Sequence, residues 1–152
     1  MDRKESVVIL SLGSNLGERE NNISKALSLI QKKTGEIIKV SDNLETEPLD
    51  FKSENKFLNC CCSISTKLDP ISLLNDLKNI EKEIGRTYTV SGYQDRIIDI
   101  DIIFYSDDVT NTEHLRIPHP NFRKRKFVTI PLEEISNHQD PITFITISQF
   151  NK

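Results

Sequence analysis

No apolar run in the 152 residues approaches the ~18 that a membrane-crossing helix requires. The first residues, Met1-Asp2-Arg3-Lys4-Glu5-Ser6, lead directly into a short strand-like run and lack the apolar core of a secretory signal. There is no surplus of positive charge. Twenty basic side chains stand against 23 acidic ones, a net charge of −3, which argues against a general nucleic-acid binder. Cysteine is scarce, and the three present are consecutive: Cys60, Cys61 and Cys62. Their odd number and their spacing match no zinc pattern. Neighbours on a strand point to opposite faces, so these thiols are poorly suited to joint ligation and read as reduced packing residues. These absences predict a cytoplasmic protein with no nucleic-acid or membrane partner.

The apolar share of 36% and the charged share of 28% are those of a folded chain. Its length predicts one domain, residues 1–152, large enough to bury a core without staples. Val7-Val8-Ile9-Leu10-Ser11-Leu12 reads as a short buried strand, broken by a turn over 13–17. Ile23, Ala26, Leu27 and Ile30 recur at helical spacing, which predicts a helix over 19–34 with Gly35 just past its end. Residues 37–42 alternate as a half-buried strand, 44–56 read as a loop, and 57–68 as a third strand. Asp69-Pro70 is a helix start, a capping acid followed by proline at the first helical position. Leu73, Leu74, Leu77, Ile80 and Ile84 then form an apolar stripe that Gly85 ends. After a polar stretch over 87–95, residues 97–105 form a strong strand. Residues 107–125 read mostly as loop, and a short segment over 127–135 packs after it. The order β-α-β-β-α-β predicts an α+β, ferredoxin-like two-layer sandwich, a mainly antiparallel sheet with helices packed on it.

The most informative string is Arg96-Ile97-Ile98-Asp99-Ile100-Asp101-Ile102. Alternation along a strand puts Asp99 and Asp101 on one face, with Cα atoms roughly 6.6–6.8 Å apart. Two like charges on a strand are unfavourable, and Mg²⁺ would offset their repulsion while leaving room for phosphate. Arg86 and Arg96 bound the polar stretch before the acids, so two guanidiniums and two carboxylates can converge on one end of the sheet. That combination suits phosphoryl-type transfer. Gly13 to Arg19 fails the phosphate-loop pattern, having no G-K-[ST] at the required spacing, and reads as a strand-to-helix turn. Arg123 to Lys126 is a short basic run, and Pro118-His119-Pro120 presents a histidine. Phe57 and Phe127 could clamp a flat heterocycle whose edge the amide of Asn59 could read. On these residues alone, a non-catalytic small-ligand module and a Mg²⁺-dependent phosphohydrolase remain alternatives.

Leu12-Gly13-Ser14-Asn15-Leu16-Gly17, Glu45-Thr46-Glu47-Pro48-Leu49, Phe57-Leu58-Asn59, Glu81 through Arg86, the Asp99/Asp101 string, Ile117-Pro118-His119-Pro120 and Pro131-Leu132-Glu133-Glu134-Ile135 stand in an order and spacing that are highly specific together. In them the chain resembles the 6-hydroxymethyl-7,8-dihydropterin pyrophosphokinases, enzymes of folate biosynthesis, over residues 7–135. The resemblance implies transfer of the pyrophosphoryl group of ATP to the hydroxymethyl group of the pterin, with release of AMP. It implies two Mg²⁺ ions at Asp99 and Asp101, and Arg86 and Arg96 as the residues that assist transfer. Thr46, Leu49, Phe57, Asn59, Tyr93 and Phe127 match pterin contacts. Lys78, Glu81, Ile102 (through its backbone), Arg116, His119 and Arg125 match ATP contacts. A monofunctional monomer acting on these two small molecules is expected. Where many relatives have Trp-Gly-Pro before the second arginine, this chain has Tyr93-Gln94-Asp95.

Overall fold

The chain runs β1 (Ser6–Ser14), α1 (Arg19–Lys33), β2 (Glu36–Val40), β3 (Leu44–Thr46), β4 (Phe57–Thr66), α2 (Pro70–Ile84), β5 (Asp99–Tyr105), β6 (Thr110–Asn111), β7 (Arg116–Ile117), a single 3₁₀ turn (Phe122–Lys124), α3 (Lys126–Ile135) and α4 (Ile147–Phe150). The computed structural model describes residues 4–47, 55–86 and 95–152. The main sheet has the order β2-β4-β1-β5, every pair antiparallel, with the short β3 added to β4. This is the ferredoxin-like α+β arrangement expected from the order of elements.

Alternation divides the sheet into two faces. Val8, Leu10 and Leu12 of β1, Cys60, Cys62 and Ile64 of β4, and Ile100 and Ile102 of β5 meet Ile23, Ala26 and Ile30 of α1 and Leu73, Leu77 and Ile80 of α2. Each such large side chain, fully buried, contributes about 1.5–3 kcal/mol. The helix start at Asp69 is as read from the sequence, its carboxylate accepting from the Ser72 amide at 2.8 Å. Gly85 closes α2 at φ +125°, a conformation that L side chains rarely adopt.

The opposite face carries what periodicity did not resolve. Ile9, Cys61, Ile103 and Phe104 form a second core with Phe122, Val128, Leu132, Ile135 and Ile147. A register shift between Ile9 and Leu10 of β1, opposite Phe104 and Ile102, makes room for the consecutive Ile103 and Phe104 on this face. The 127–135 segment is the helix α3, which runs through Pro131 and forms a third layer. The stretch 44–56, read as loop, contains β3: Leu44, Glu45 and Thr46 pair with Asn59, Leu58 and Phe57. Three polar-flanked residues carry no periodic signal, and only the neighbouring strand makes them β. Within 107–125, β6 and β7 form a two-stranded ribbon. The three cysteines are buried and reduced, Cys60 and Cys62 in one core and Cys61 in the other. Burial pushes the Cys60 thiol up to about 12, which keeps it protonated and inert.

Candidate active site

α3 covers only part of its face. Below it lie Ile9, Cys61 and Ile103. Along the same strands the register sets Ser11 between Cys61 and Asp101, and Gly13 between Asn59 and Asp99. These residues floor a cleft that Thr46, Phe57, Arg96, Arg125 and Phe127 also line. The Asn59 amide donates to the Thr46 hydroxyl at 2.9 Å. A Cβ on Gly13 would stand 2.8 Å from Asn59 Oδ1, so only glycine leaves that amide its place. An isolated glycine in a strand is a signal of close approach, and it marks this position. Arg125 stands with its guanidinium 5.7 Å from the Phe127 ring centre.

A second cleft opens along the outer edge of β5. Lys78, Ile102, Arg116 and His119 line it together with Leu74, Ile100, His114 and Pro120. Asp101 lines both clefts.

The charges where the clefts meet are dense. Asp99 accepts from Arg86 Nη1 at 2.7 Å through Oδ1 and from Arg96 Nη1 at 3.1 Å through Oδ2. Arg86 Nη1 also donates to Glu81 Oε2 at 2.7 Å, and the same carboxylate oxygen accepts the Ile100 amide at 2.7 Å. Glu81 is therefore buried behind the clefts, where it ties α2 to β5 and to Arg86 rather than lining the second cleft with Lys78. Arg125 likewise lines the first cleft rather than the second. Arg96 Nε is buried and has no hydrogen-bond partner among the described residues.

Asp101 sits at the bottom of this junction. Burial pushes its carboxyl well above the usual carboxylate range, and the charges of Asp99 and Glu81 add to the rise against Arg125 and Arg96. Its side chain nevertheless keeps 38% of its exposure, open to the clefts. His119 Nε2 lies 4.0 Å from Asp101 Oδ2. Burial, then the charge of Arg125, lowers His119 to about 4, so the imidazole is neutral at pH 7. Its Nδ1 accepts the Asn121 amide at 3.2 Å, which leaves the ring proton on Nε2 facing the junction.

Of the residues expected from the sequence, the structure gathers Thr46, Phe57, Asn59, Arg96, Asp99, Asp101, Arg125 and Phe127 at one cleft and Lys78, Ile102, Arg116 and His119 at the other, with Arg86 between them through Asp99. Leu49 and Tyr93 lie outside the described residues. Ser11 and Gly13, taken at the sequence level only as strand and turn, are site-lining residues. No group of three or more His, Cys, Asp or Glu side chains gathers for a metal among the described residues, and no described helix is long and apolar enough to cross a membrane.

Comparison with known proteins gives one family. Residues 9–137 match the family described as 7,8-dihydro-6-hydroxymethylpterin-pyrophosphokinase (HPPK). The chain is 40% identical over 134 residues to the 2-amino-4-hydroxy-6-hydroxymethyldihydropteridine pyrophosphokinase of Porphyromonas gingivalis, across 86% of this chain and 91% of that one. It is 37% identical over 131 residues to the enzyme of the same name from Bacillus subtilis, across 86% and 78%. The Pneumocystis carinii folic acid synthesis protein fol1 is 40% identical over 144 residues, 94% of this chain but 19% of that longer protein. Among solved structures, wild-type Plasmodium falciparum HPPK-DHPS with pteroate superposes with a TM-score of 0.78 at 18% identity, covering 99% of this chain and 44% of that one, a likeness of fold. The chain therefore belongs to the 6-hydroxymethyl-7,8-dihydropterin pyrophosphokinase family and is a pyrophosphokinase of folate biosynthesis.

Proposed function

We propose that the first cleft takes the hydroxymethyl-dihydropterin, that the second takes ATP, and that transfer occurs where the two meet. The observation that carries this reading is the shared wall: Asp101 lines both clefts. A flat heterocycle suits the first cleft. Phe57 and Phe127 supply apolar faces, and the Asn59 amide supplies a donor and an acceptor for its edge. The second cleft runs along an edge strand, where outward backbone groups of β5 at Ile102 can read a purine edge. Lys78, Arg116 and the Nε2 proton of His119 then face the phosphates.

In the transfer, the pterin hydroxyl oxygen bonds to the β-phosphorus and gives up its proton to solvent, the bond from that phosphorus to the oxygen bridging it to the α-phosphate breaks, and AMP leaves with that oxygen. The chain's part is to hold the two groups in line and to balance charge, which is most of what phosphoryl-type transfer asks. Arg86 is engaged by Glu81 and Asp99, and Arg96 by Asp99, so both guanidiniums are already committed to carboxylates before a polyphosphate arrives. Asp99 and Asp101 fit Mg²⁺ on this ground. Two carboxylates already repel each other there, and this ion takes one or two carboxylates with phosphate oxygens and water completing its shell. When bound, the ions neutralise and orient the phosphate oxygens. Arg86 and Arg96, which here rest on Asp99, would supply the guanidinium donors for the phosphate oxygens, the unpartnered Nε of Arg96 among them.

The experiment is steady-state kinetics with AMP as readout. AMP should appear with Mg-ATP only when the pterin is present. Phe127→Ala removes an aromatic wall worth about 1.5–3 kcal/mol of burial and should raise the pterin KM roughly tenfold or more, leaving the ATP KM within about threefold. A shift confined to the ATP KM would reverse the assignment of clefts, and nucleotide cleavage without pterin would mark a hydrolase.

A further inference from the structure

Arg96 reaches Asp99 with its side chain, but its backbone is held from the other side of the site. Asn15, buried at the end of β1, binds Arg96 twice: its amide donates to the Arg96 carbonyl at 3.0 Å, and its Oδ1 accepts the Arg96 amide at 2.6 Å. The Asn15 side-chain nitrogen donates to Asp95 Oδ1 at 2.8 Å and to the Asn55 carbonyl at 3.3 Å. Asn55 in turn donates from its side chain to Asp95 Oδ2 at 2.9 Å. Both carboxylate oxygens of Asp95 are thus held by amides, and the peptide it shares with Arg96 is fixed to β1. The turn that presents Asn15 is itself pinned. Asn22, on the first turn of α1, donates to the Ser14 hydroxyl at 3.3 Å and to the Leu16 carbonyl at 3.0 Å.

We propose that Asp95, clasped by Asn15 and Asn55, is a positioning residue for Arg96, and that it sets where the guanidinium meets the transferring phosphates. This rests on the reading of Arg96 given above. The physical need is plain. Arginine has four rotatable side-chain bonds, so its head is placed only if its backbone is, and a displacement of about 1 Å from productive geometry costs up to roughly a hundredfold in rate. Asp95 itself faces the two amides and lines neither cleft, so it acts through its neighbour.

The test is a cycle of Asp95→Ala and Arg96→Ala, separately and together, in the pterin-dependent AMP assay. Asp95→Ala should lower kcat about tenfold or more with the KM for ATP and pterin within about threefold, and the same substitution in the Arg96→Ala background should cost nothing further. Asp95→Asn keeps one acceptor oxygen and should fall between. An equal loss in both backgrounds, a loss confined to KM, or an unchanged kcat would overturn the proposal. If Asp95→Ala does not fold, the near-isosteric Asp95→Asn in the two backgrounds decides by the same criterion. Arg96→Ala alone tests the underlying reading: if it leaves kcat intact, that reading fails, whatever Asp95 does.

Discussion

Gly13→Ala is the smallest change that reaches the heart of the first cleft. The added methyl would lie 2.8 Å from Asn59 Oδ1 and 3.5 Å from Phe57 Cδ1. The first distance is shorter than real Cβ contacts allow, so the amide must turn or shift from the place that its bond to the Thr46 hydroxyl holds. A weakened Thr46 bond is a cost to the fold and not to binding. Each of two bonds from the amide to the pterin edge is worth about 1 kcal/mol net, and their loss, about 2 kcal/mol, corresponds to roughly 30-fold in kcat/KM. It should fall on the pterin KM, because the methyl meets neither the junction nor the second cleft. Gly13 does not carry a positive φ, so alanine suits the backbone, and the melting temperature should move by only a few degrees. The assays are AMP formation against pterin concentration and a thermal melt. A folded Gly13→Ala protein with a pterin KM within threefold of the parent would refute the placement of Asn59 at the ligand edge.

Asp101→Asn separates function from stability. The parent carboxyl is raised by burial and by its acidic neighbours, so it costs the fold stability progressively as pH rises from the unfolded value of about 3.9 through the folded one, and the cost is complete above that. At pH 8 the amide variant should melt no lower than the parent, while Mg²⁺-dependent turnover drops at least about a hundredfold. A variant that keeps turnover ends the metal assignment. Asp140 lines neither cleft, and its side chain is wholly buried against Arg123, with Arg123 Nη2 donating to it at 3.0 Å. Burial alone would raise its carboxyl, but the Arg123, Ile142 and Thr143 hydrogen bonds and the Arg123 charge outweigh that and hold it below the usual value. A depressed carboxyl stabilises above the unfolded pKa of about 3.9, and the contribution fades as pH falls through the folded value. The melting-temperature gap between parent and Asp140→Asn should be flat from pH 5 to 8 and should close below about pH 4. A gap that widens in acid would contradict this.

Much of the site was legible because its residues stand on regular elements with clear periods. Alternation alone placed Asp99 and Asp101 together and separated Cys61 from its neighbours, and the structure does both. Asp69-Pro70 and Gly85 bounded α2 because capping is local chemistry. α3 was harder to read. Pro131 interrupts the usual helical pattern, and the helix exists because the sheet face of Ile9, Cys61 and Ile103 needs cover. β3 became a strand only through β4. Asn15 looked like part of a turn because its partners, Asn55, Asp95 and Arg96, lie 40 to 81 positions away.

Local order along the chain was enough to specify the elements, the alternation of the sheet and the kinds of side chain available for chemistry, since propensity, capping and period act over a few residues. The tertiary structure decided which of these meet. Closing β5 against β1 set Gly13 between Asn59 and Asp99, made Asp101 the wall common to two clefts, and turned Glu81 inward to hold Arg86. Such pairings depend on strand register and on which side chains are excluded from water together, and neither can be computed from neighbours in sequence.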